Sequence, residues 1–418
     1  MREMKDSGIE WIGQIPKGWE LRRAKTLFTQ RNSKGNGIEV LLSPTQKYGV
    51  VPQSQLEGVV QVKEDTDLQM FKTVHKGDFV ISLRSFQGGF EYSLYEGVCS
   101  PAYQVFYPTS PICDTYYRYL FKSQSFISKM NNLTVGIREG KNIQYVDFAN
   151  SQIPVPPLAE QKRIVTFLDA QCAEIDAVLE KTRASIEEYK KLKQAVITQA
   201  VTKGIRGDRP MKDSGSVWFE EIPCNWVMKR IKYLFHIKKD IAGKEGYTVL
   251  SITQRGIQPK DLSKNEGQIA ANYSQYQLLA PGDFAMNHMD LLTGWVDISK
   301  YSGVTSPDYR VFVLDDTEKN DSSYYLYLMQ MCYFNRIFYG LGQGVSGMGR
   351  WRLQADKFLN FPVVVPPVDE QKEIASYLNE KCSGIEVLIA KKQQYLTEIE
   401  NYKKSLIYEY VTGKKEVV

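Results

Sequence analysis

The sequence is poor in the residues from which metal sites are built. It has three histidines, His75, His236 and His288, and six scattered cysteines with no CxxC pair. Because zinc sites need clusters of these side chains at short spacing, no metal centre is expected. Scattered cysteines are also typical of thiols in a reducing compartment, which predicts a cytoplasmic protein without disulfides.

Long apolar runs are missing as well. No stretch approaches the ~20 residues needed to cross a bilayer, and the N-terminal segment MREMKDSGIEW lacks the apolar core of a signal peptide. With 43% hydrophobic and 24% charged residues, the composition predicts a globular protein with no membrane association. The 418 residues are enough for two to four domains. The net charge of +5 is compatible with binding to nucleic acid.

Motifs of catalysis are also missing. The sequence has no GxxxxGK[ST] phosphate loop and no [DN]PP[YF] tetrapeptide of aminomethyltransferases. The glycine run GLGQGVSGMG at 340–349 follows a helix-like aromatic segment rather than a strand, so it does not fit a dinucleotide-binding turn and is interpreted as a flexible loop. No carboxylate pair with a spaced Glu and Lys lies in a strand context, which argues against a metal-dependent nuclease centre. We therefore expect no catalytic residues, and no enzymatic activity of this chain alone.

What the sequence does contain is a long internal repeat. KDSGIEWIGQIPKGWELRRAKTLF at 5–28 and KDSGSVWFEEIPCNWVMKRIKYLF at 212–235 share 12 of 24 positions. Further along the chain, GVCSPAYQVF at 97–106 matches GVTSPDYRVF at 303–312, and PVPPLAEQKRI at 154–164 matches VVPPVDEQKEI at 364–374. The offset between matching blocks stays between 205 and 210 residues. A period this long indicates a duplicated pair of domains rather than a solenoid, whose repeats span about 20–50 residues.

The first part of each copy, residues 1–157 and 208–367, has the pattern of a mixed globule. It is rich in Gly, Pro and aromatic residues and contains short β-prone runs such as IEVLLS and GDFVIS. Each copy also has one amphipathic segment, TYYRYLFKSQSFISKM or SSYYLYLMQMCYFNRIFY, which predicts a helix. We expect Trp11 and Trp19, with their equivalents Trp218 and Trp226, to pack each globule against the base of a helix rather than to stack on bases.

The second part of each copy, residues 158–207 and 368–418, has a heptad pattern. Apolar residues recur at a spacing of three or four over several heptads, and Glu and Lys flank them, which predicts two long helices paired as a coiled coil. The predicted seam comprises Ile164, Leu168, Ile175, Leu179, Ile186, Tyr189 and Val196 in the first helix, and Ile374, Leu378, Ile385, Ile389, Leu396, Ile399 and Leu406 in the second. Outward charges such as Glu187, Lys190 and Lys191 are interpreted as a solvated face.

The order globule, helix, globule, helix favours an antiparallel pair of helices. Antiparallel helices would place the two globules at opposite ends of a rigid spacer, related by an approximate two-fold axis. The predicted fold class is therefore α+β: two mixed α/β globules separated by two long helices that form an antiparallel coiled coil, with an internal pseudo-two-fold repeat.

The PPxxEQxxI box, PPLAEQKRI in the first copy and PPVDEQKEI in the second, is followed each time by a long heptad helix. This pattern resembles the DNA specificity subunit of Type I restriction–modification systems. The resemblance covers essentially all 418 residues. It implies that residues 1–157 and 208–367 are target recognition domains, each reading one half of a bipartite site in double-stranded DNA. It implies that the helices fix the spacer and dock two methyltransferase subunits, which restriction or translocase subunits then join. S-adenosylmethionine, ATP and Mg would belong to those partners, and this chain would hold no cofactor.

Phosphate contacts need Lys or Arg, and base edges are read by Arg, Asn, Gln, Lys, Ser and Thr. The segments GIREGKNIQ at 136–144 and GMGRWRLQ at 347–354 are polar, basic and loosened by glycine, which predicts DNA-facing loops. The main candidates are Arg138, Lys141, Asn142, Gln144, Arg350, Arg352 and Gln354. Secondary candidates are Thr45, Gln46, Lys47, Tyr48, Arg84, Ser85, Gln87, Gln254 and Arg255. For any single one of them, a solvated loop residue is the alternative.

Two other interpretations compete with this one. The chain could be a scaffold whose paired globules bind protein rather than DNA, and the basic loops in both copies argue against that. It could also belong to a related system with a fused cleavage activity, and the missing nuclease motifs argue against that.

Overall fold

A computed structural model describes residues 2–35, 40–56, 68–82, 89–133, 143–262, 272–344 and 351–417 of the chain. The chain divides into two compact units: Met1–Arg183 with Gln394–Val418, called unit 1, and Ala184–Gln393, called unit 2. Each unit contains one globule, the beginning of one long helix and the end of the other. The boundaries of the units thus run through both long helices rather than between globule and helix.

Short antiparallel strands dominate the first globule, as its β-prone runs predict. The strands are β1 Met4–Asp6, β2 Gln14–Pro16, β3 Glu20–Arg23, β4 Phe28–Arg31, β5 Leu42–Thr45, β6 Gly49–Pro52, β7 Lys72–Val74, β8 Phe79–Ile81, β9 Phe90–Tyr92, β10 Gly97–Cys99, β11 Gln104–Pro108 and β12 Gln152–Val155. The helices are α1 Asp114–Lys122, α2 Gln124–Leu133 and α3 Tyr145–Asn150. The single amphipathic helix of the prediction is thus two helices, because Ser123 between them has an extended backbone (φ −67°, ψ 138°).

A four-stranded antiparallel sheet in the order β4–β11–β8–β9 forms the centre of the first globule. Phe106 on β11 lies opposite Gln30 on β4 and Phe79 on β8. The Phe106 ring is stacked on Phe79 at 5.2 Å and lies 4.7 Å from Phe148 of α3. Because aromatic side chains bury more area than any others, this cluster holds the sheet and α3 together. The remaining strands form the pairs β1–β2, β3–β12, β5–β6 and β7–β10.

The second globule repeats this arrangement. Its strands are β13 Met211–Asp213, β14 Glu221–Pro223, β15 Val227–Arg230, β16 Phe235–Lys238, β17 Leu250–Thr253, β18 Gly256–Pro259, β19 Gln277–Leu279, β20 Phe284–Met286, β21 Val296–Ile298, β22 Gly303–Thr305, β23 Arg310–Leu314, β24 Gln343–Gly344, β25 Trp351–Arg352 and β26 Pro362–Val365. Its sheet has the equivalent order β16–β23–β20–β21. The second amphipathic segment is also divided, since Arg336 adopts a left-handed backbone (φ 57°) between two helices. The helices of this globule are α5 Ser322–Phe334, α6 Ile337–Gly340 and α7 Ala355–Asn360.

The two long predicted helices are present, and each has a definite beginning and end. The carbonyl of Pro157 accepts the N–H groups of Glu160 and Gln161 in the first turn of the first one. Both helices end at a left-handed glycine, Gly204 (φ 80°) and Gly413 (φ 70°), a common helix terminator. At Gly413 a side chain would come within 2.5 Å of Pro16, so only glycine fits. The helices are α4 Leu158–Lys203 and α8 Val368–Val411.

The helices are antiparallel within each unit. In unit 1 the Phe167 ring packs on Tyr410 at 4.5 Å, and Asp176 forms an ion pair of 2.6 Å with Lys403. In unit 2 Lys193 forms an ion pair with Glu386, and Tyr189, four residues earlier on α4, has Lys392 of α8 over its ring at 5.7 Å. Since the residue numbers rise on α4 as they fall on α8, the predicted direction is confirmed.

Burial follows the predicted seam with small deviations. Ile164, Leu168, Leu179, Ile186, Ile374, Leu378, Ile385, Leu396 and Leu406 are buried, and Ile175, Tyr189, Val196, Ile389 and Ile399 are half-buried. Ile197 next to Val196 is buried although the heptad pattern omits it, because the second globule packs on this end of α4. Glu187 and Lys190 are exposed and pair with each other, as expected of a solvated face. Among the helices in the described ranges, none is both long enough and apolar enough to cross a membrane.

Candidate nucleic-acid interface

The PPLAEQKRI box fixes the first globule to the beginning of α4. The indole Nε1 of the buried Trp19 donates to Glu160 Oε2 at 3.0 Å, and Glu160 Oε1 pairs with Arg2 at 2.6 Å. The neighbouring Gln161 accepts the N–H of Cys113, the residue before α1, at 2.8 Å. The glutamate and the glutamine of the box therefore hold the first turn of α4 against the first globule.

The PPVDEQKEI box does the same in the second globule. Trp226 Nε1 donates to Glu370 Oε2 at 3.0 Å, Arg209 pairs with the other oxygen, and Gln371 accepts the N–H of Asp321 at 2.8 Å. The prediction that the tryptophans pack against a helix base is thus confirmed for Trp19 and Trp226. Trp218 is partly exposed and its ring lies against Gly340 of α6, so for this residue the packing against a helix base stays a prediction.

Each globule also holds the end of the other long helix. In unit 1 the hydroxyl of Tyr116 donates to the carbonyl of Val411 at 2.7 Å. In unit 2 the equivalent Tyr324 donates to the carbonyl of Val201 at 3.1 Å. Both tyrosines are completely buried. Each globule is thereby attached to both antiparallel helices, which gives its loops a defined orientation relative to the helix pair of the same unit.

The main candidate segment of the first globule is partly described. Arg138, Lys141 and Asn142 lie outside the described residues. Gln144 is exposed at the N-cap of α3. Its Oε1 accepts a hydrogen bond of 3.1 Å from Gln104 Nε2, and Gln104 Oε1 accepts the N–H of Tyr145 at 2.6 Å. Strand β11 therefore holds the end of this segment through one glutamine.

The equivalent segment of the second globule presents two candidates to solvent. Arg350 lies outside the described residues, whereas Arg352 on β25 and Gln354 at the N-cap of α7 are exposed. Between them Leu353 is buried, and its N–H donates to the carbonyl of His288 at 2.9 Å. Gln144 and Gln354 occupy the same position before equivalent helices, as the sequence repeat predicts.

The secondary candidates form tight hairpin turns. In the β5–β6 turn, Thr45 Oγ1 accepts the N–H of Tyr48 at 3.1 Å and donates to the carbonyl of Gly49 at 2.9 Å. In the β17–β18 turn, Thr253 Oγ1 accepts the N–H of Arg255 at 3.1 Å and donates to the carbonyl of Gly256 at 2.9 Å. This shared geometry exposes Gln46, Lys47 and Tyr48 in the first globule, and Gln254 and Arg255 in the second. Arg84, Ser85 and Gln87 lie outside the described residues.

Both hairpins lie next to the long helices of their own unit. The pKa of Lys47 is raised, first by its hydrogen bond to Tyr48 and to a smaller extent by Glu180 of α4. In unit 2, Gln254 and Arg255 line a cleft of about 590 Å³ together with Lys193 of α4 and Glu386 of α8. The hairpin candidates therefore lie near the long helices. Gln144, Arg352 and Gln354 instead lie near the first residues of β11 and β23.

The sequence reasoning missed two polar residues that hold the candidate segments, Gln104 and Arg310. Arg310 Nη2 donates to the carbonyl of Leu353 at 2.8 Å in the second globule, at the position that Gln104 takes in the first. A signal was present, because YQVF and YRVF match in three of four positions and differ only at this one. Where two copies of a mainly apolar block differ only at one polar residue, that residue is a candidate for a function specific to its copy.

Charge around Leu353 is unusual. Burial lowers the pKa of His288 to about 3, with Arg310 and Arg352 acting in the same direction, so the imidazole is neutral near pH 7. Burial lowers the pKa of Arg310 to about 10, which leaves this guanidinium charged. The site therefore combines two cations with a neutral histidine. In the described part of the chain, no group of three or more His, Cys, Asp or Glu residues is arranged to hold a metal ion.

A buried carboxylate on β9 gives a testable pH dependence. Burial raises the pKa of Glu91 from 4.5 to about 7, and its ion pair with Lys122 at 2.5 Å only partly opposes this. Because the folded pKa lies above the unfolded one, the folded state binds the extra proton, and stability falls as the pH rises from about 4.5 to about 7. We expect a loss of about 2–3 kcal/mol between pH 5 and pH 8 that Glu91→Gln abolishes, measured by urea unfolding. The same slope in Glu91→Gln as in the wild type, with the exposed Glu187→Gln as control, would contradict this.

The sequence of each globule and of the helix that follows it matches a known protein family. A model of the Type I restriction modification DNA specificity domain matches residues 16–188 and again residues 223–398. The chain belongs to this family. Each matched range contains most of one globule and a large part of one long helix, so the specificity domain corresponds to the sequence repeat.

Relatives in this family have low sequence identity to this chain but align with most of its length. The chain is 24% identical over 301 residues to the Type I restriction enzyme MjaVIII specificity subunit of Methanocaldococcus jannaschii, a match covering 67% of this chain and 66%, just under two thirds, of that protein. It is 22% identical to the putative MjaX specificity subunit of the same organism, over 97% of this chain and 96% of that one. A solved chain from a study of complex assembly and conformational transition of the type I R-M system has a TM-score of 0.69 at 15% identity, covering 96% of this chain and 99% of that one. The specificity-domain fold is therefore shared along nearly the whole chain.

Proposed function

We propose that this chain is the DNA specificity subunit of a Type I restriction–modification system and is itself not catalytic. The observation that carries the proposal is that the DNA specificity domain occurs twice, each time with one globule attached to its helix by the same Trp–Glu connection. Residues 1–157 and 208–367 would be two target recognition domains, each reading one half of a bipartite site. Residues 158–207 and 368–418 would form the coiled coil that fixes the spacer.

The exposed side chains of the candidate segments support base reading. Arginine is suited to bidentate contacts with guanine, and glutamine to bidentate contacts with adenine. The side chains of Gln144, Arg352 and Gln354 are exposed to solvent next to buried residues of the same segments. The cationic and polar tips of the hairpins, Lys47 and Arg255 among them, would contact the DNA backbone, which binds largely through Lys and Arg.

Exposed apolar residues on the helices support the docking of two equal partners. In unit 1 Val178 and Tyr402 are 40% and 56% exposed, and in unit 2 Leu388 and Leu192 are 42% and 48% exposed. The two pairs correspond through the 210-residue offset of the repeat. We take these equivalent positions as the candidate docking sites, with one methyltransferase subunit bound to each unit. These subunits, joined by restriction or translocase subunits, would carry S-adenosylmethionine, ATP and Mg in the cytoplasm.

DNA binding by the complex of this chain with its methyltransferase subunits tests the proposal. Sequencing of methylated DNA with and without this chain defines the bipartite site, and gel shifts then measure the affinity for each half. We expect Arg352→Ala to weaken binding by about 1–3 kcal/mol and to relax the choice of base in one half only. Lys190→Ala, on the exposed helix face, is the matched control and should leave both halves unchanged. A wild-type complex that binds DNA without sequence preference would instead support a protein-binding scaffold.

A further inference from the structure

One polar position differs between the two copies at the same place in the two central sheets. Gln104 begins β11 and lies opposite Ile81 of β8, and Arg310 begins β23 and lies opposite Met286 of β20. Both residues follow a turn that starts with Ser-Pro. They are therefore structural equivalents, and their difference is a substitution within one architecture.

Both the Nε2 and the Oε1 atom of Gln104 form hydrogen bonds with residues 143–145, where α3 begins. Its Nε2 donates to Gln144 Oε1 at 3.1 Å and, at 3.4 Å, to the carbonyl of Ile143. Its Oε1 accepts the N–H of Tyr145 at 2.6 Å. One half-buried side chain thus fixes three consecutive residues, including the exposed candidate Gln144.

Arg310 holds the equivalent residue in the second globule. Its Nη2 donates to the carbonyl of Leu353 at 2.8 Å, and Leu353 precedes Gln354 as Ile143 precedes Gln144. The guanidinium lies 5.0 Å from the ring centroid of Phe358 on α7. Arg310 is 6% exposed. The same carbonyl is therefore held in both globules, once by a neutral amide and once by a cation.

Among the described residues, the charge of Arg310 has no acidic partner. Within the described ranges we find no carboxylate in ion-pair distance of its guanidinium, and Arg352 lies nearby with the same sign. The Nδ1 atom of His288, whose pKa both arginines lower, is buried and has no hydrogen-bond partner in the part of the chain that the structure describes. A buried cation without a counter-charge is costly in folding, whereas Gln104 makes the equivalent hydrogen bond without that cost. The presence of arginine at this position therefore points to a role other than stability.

We propose that Gln104 and Arg310 are positioning residues for base reading, each setting the segment that carries the reading side chains of its own globule. This rests on the proposed function. Arg310 would place Arg352 and Gln354 for the second half-site, and Gln104 would place Gln144 for the first. A change of this residue should alter the preference of one globule for its half-site and leave the other half-site untouched.

The experiment uses the full chain in complex with its methyltransferase subunits and DNA libraries in which one half-site is randomised at a time. Arg310→Gln should lower discrimination at the second half-site by about tenfold or more, keep the first unchanged, and leave the melting temperature equal or higher. Arg310→Lys, which keeps a charged donor, should restore part of the discrimination. Gln104→Arg should affect only the first half-site.

A matched control is Gln277, a buried polar residue whose side chain holds the turn before Arg310. Its Nε2 donates to the carbonyls of Ser306 and Tyr309 at 3.1 and 2.9 Å. Gln277→Leu should lower the melting temperature and leave discrimination intact. If Arg310→Gln behaves like Gln277→Leu, or weakens both half-sites equally, the residue is structural only and the inference is wrong.

The outcomes separate the two proposals. A wild-type complex that discriminates at neither half-site contradicts the proposed function itself. A wild-type complex that discriminates at both, together with an Arg310→Gln variant that reads the second half-site unchanged, contradicts only the positioning role.

Discussion

Replacing Glu370 with alanine is expected to lower the free energy of unfolding by about 3–5 kcal/mol, the range for breaking a buried ion pair from one side. The side chain of Glu370 is 1% exposed and that of its partner Arg209 is 15% exposed. Removal of the carboxylate leaves the guanidinium unpaired and the indole N–H of Trp226 without its acceptor. These groups join the residue before β15, the segment after α4 and the first turn of α8. Unit 2 should therefore lose the connection between globule and helix.

Glu373→Ala is the control for this prediction. Glu373 lies one turn further along α8 and pairs with Arg206, but both side chains are about half exposed. Exposed pairs contribute about 0–1 kcal/mol, so this variant should unfold almost like the wild type in urea. Equal effects of the two substitutions would show that the connection made by Glu370 of the PPVDEQKEI box does not stabilise the unit. Glu160→Ala in unit 1 should have an intermediate effect, because Glu160 and Arg2 are 13% and 21% exposed.

The repeat and the long helices could be predicted because their signals extend over many residues. A heptad pattern over more than 40 residues tolerates local exceptions such as Gly384, which faces open space in α8. Its direction could be predicted as well, since alternation of globule and helix favours an antiparallel pair. The strands were only partly predictable, because runs of three to five residues carry little periodicity.

Local features decided by single side chains could not be predicted. The break at Ser123 depends on one extended residue inside an otherwise amphipathic segment. The exposure of Trp218 could not be distinguished from the burial of Trp226, because both belong to the same repeated motif. Gln104 and Arg310 were missed because their partners are backbone atoms of a distant segment, and the sequence does not show which carbonyl a side chain will reach.

Inserting one heptad into both long helices is expected to change the spacer of the recognised site and keep both half-sites. Copies of residues 177–183 and 387–393, placed after Arg183 and Gln393, would add about 10.5 Å to each helix. They leave the contacts within unit 1 and within unit 2 intact, since both insertions fall at the boundary between the units. At about 3.4 Å per base pair this length corresponds to about three base pairs.

The twist of DNA limits how far the spacer can follow. A heptad rotates the end of a helix by only about 20°, whereas three base pairs rotate DNA by nearly a third of a turn. We therefore expect a preferred spacer about one to three base pairs longer, measured by methylation of a library in which the spacer varies by single base pairs. A heptad inserted into α4 alone leaves α8 unmatched and should lower affinity at every spacer, which makes it the control. Unchanged spacer preference in the double insertion, with both half-sites still read, would mean that the helices do not set the distance between the two recognition domains.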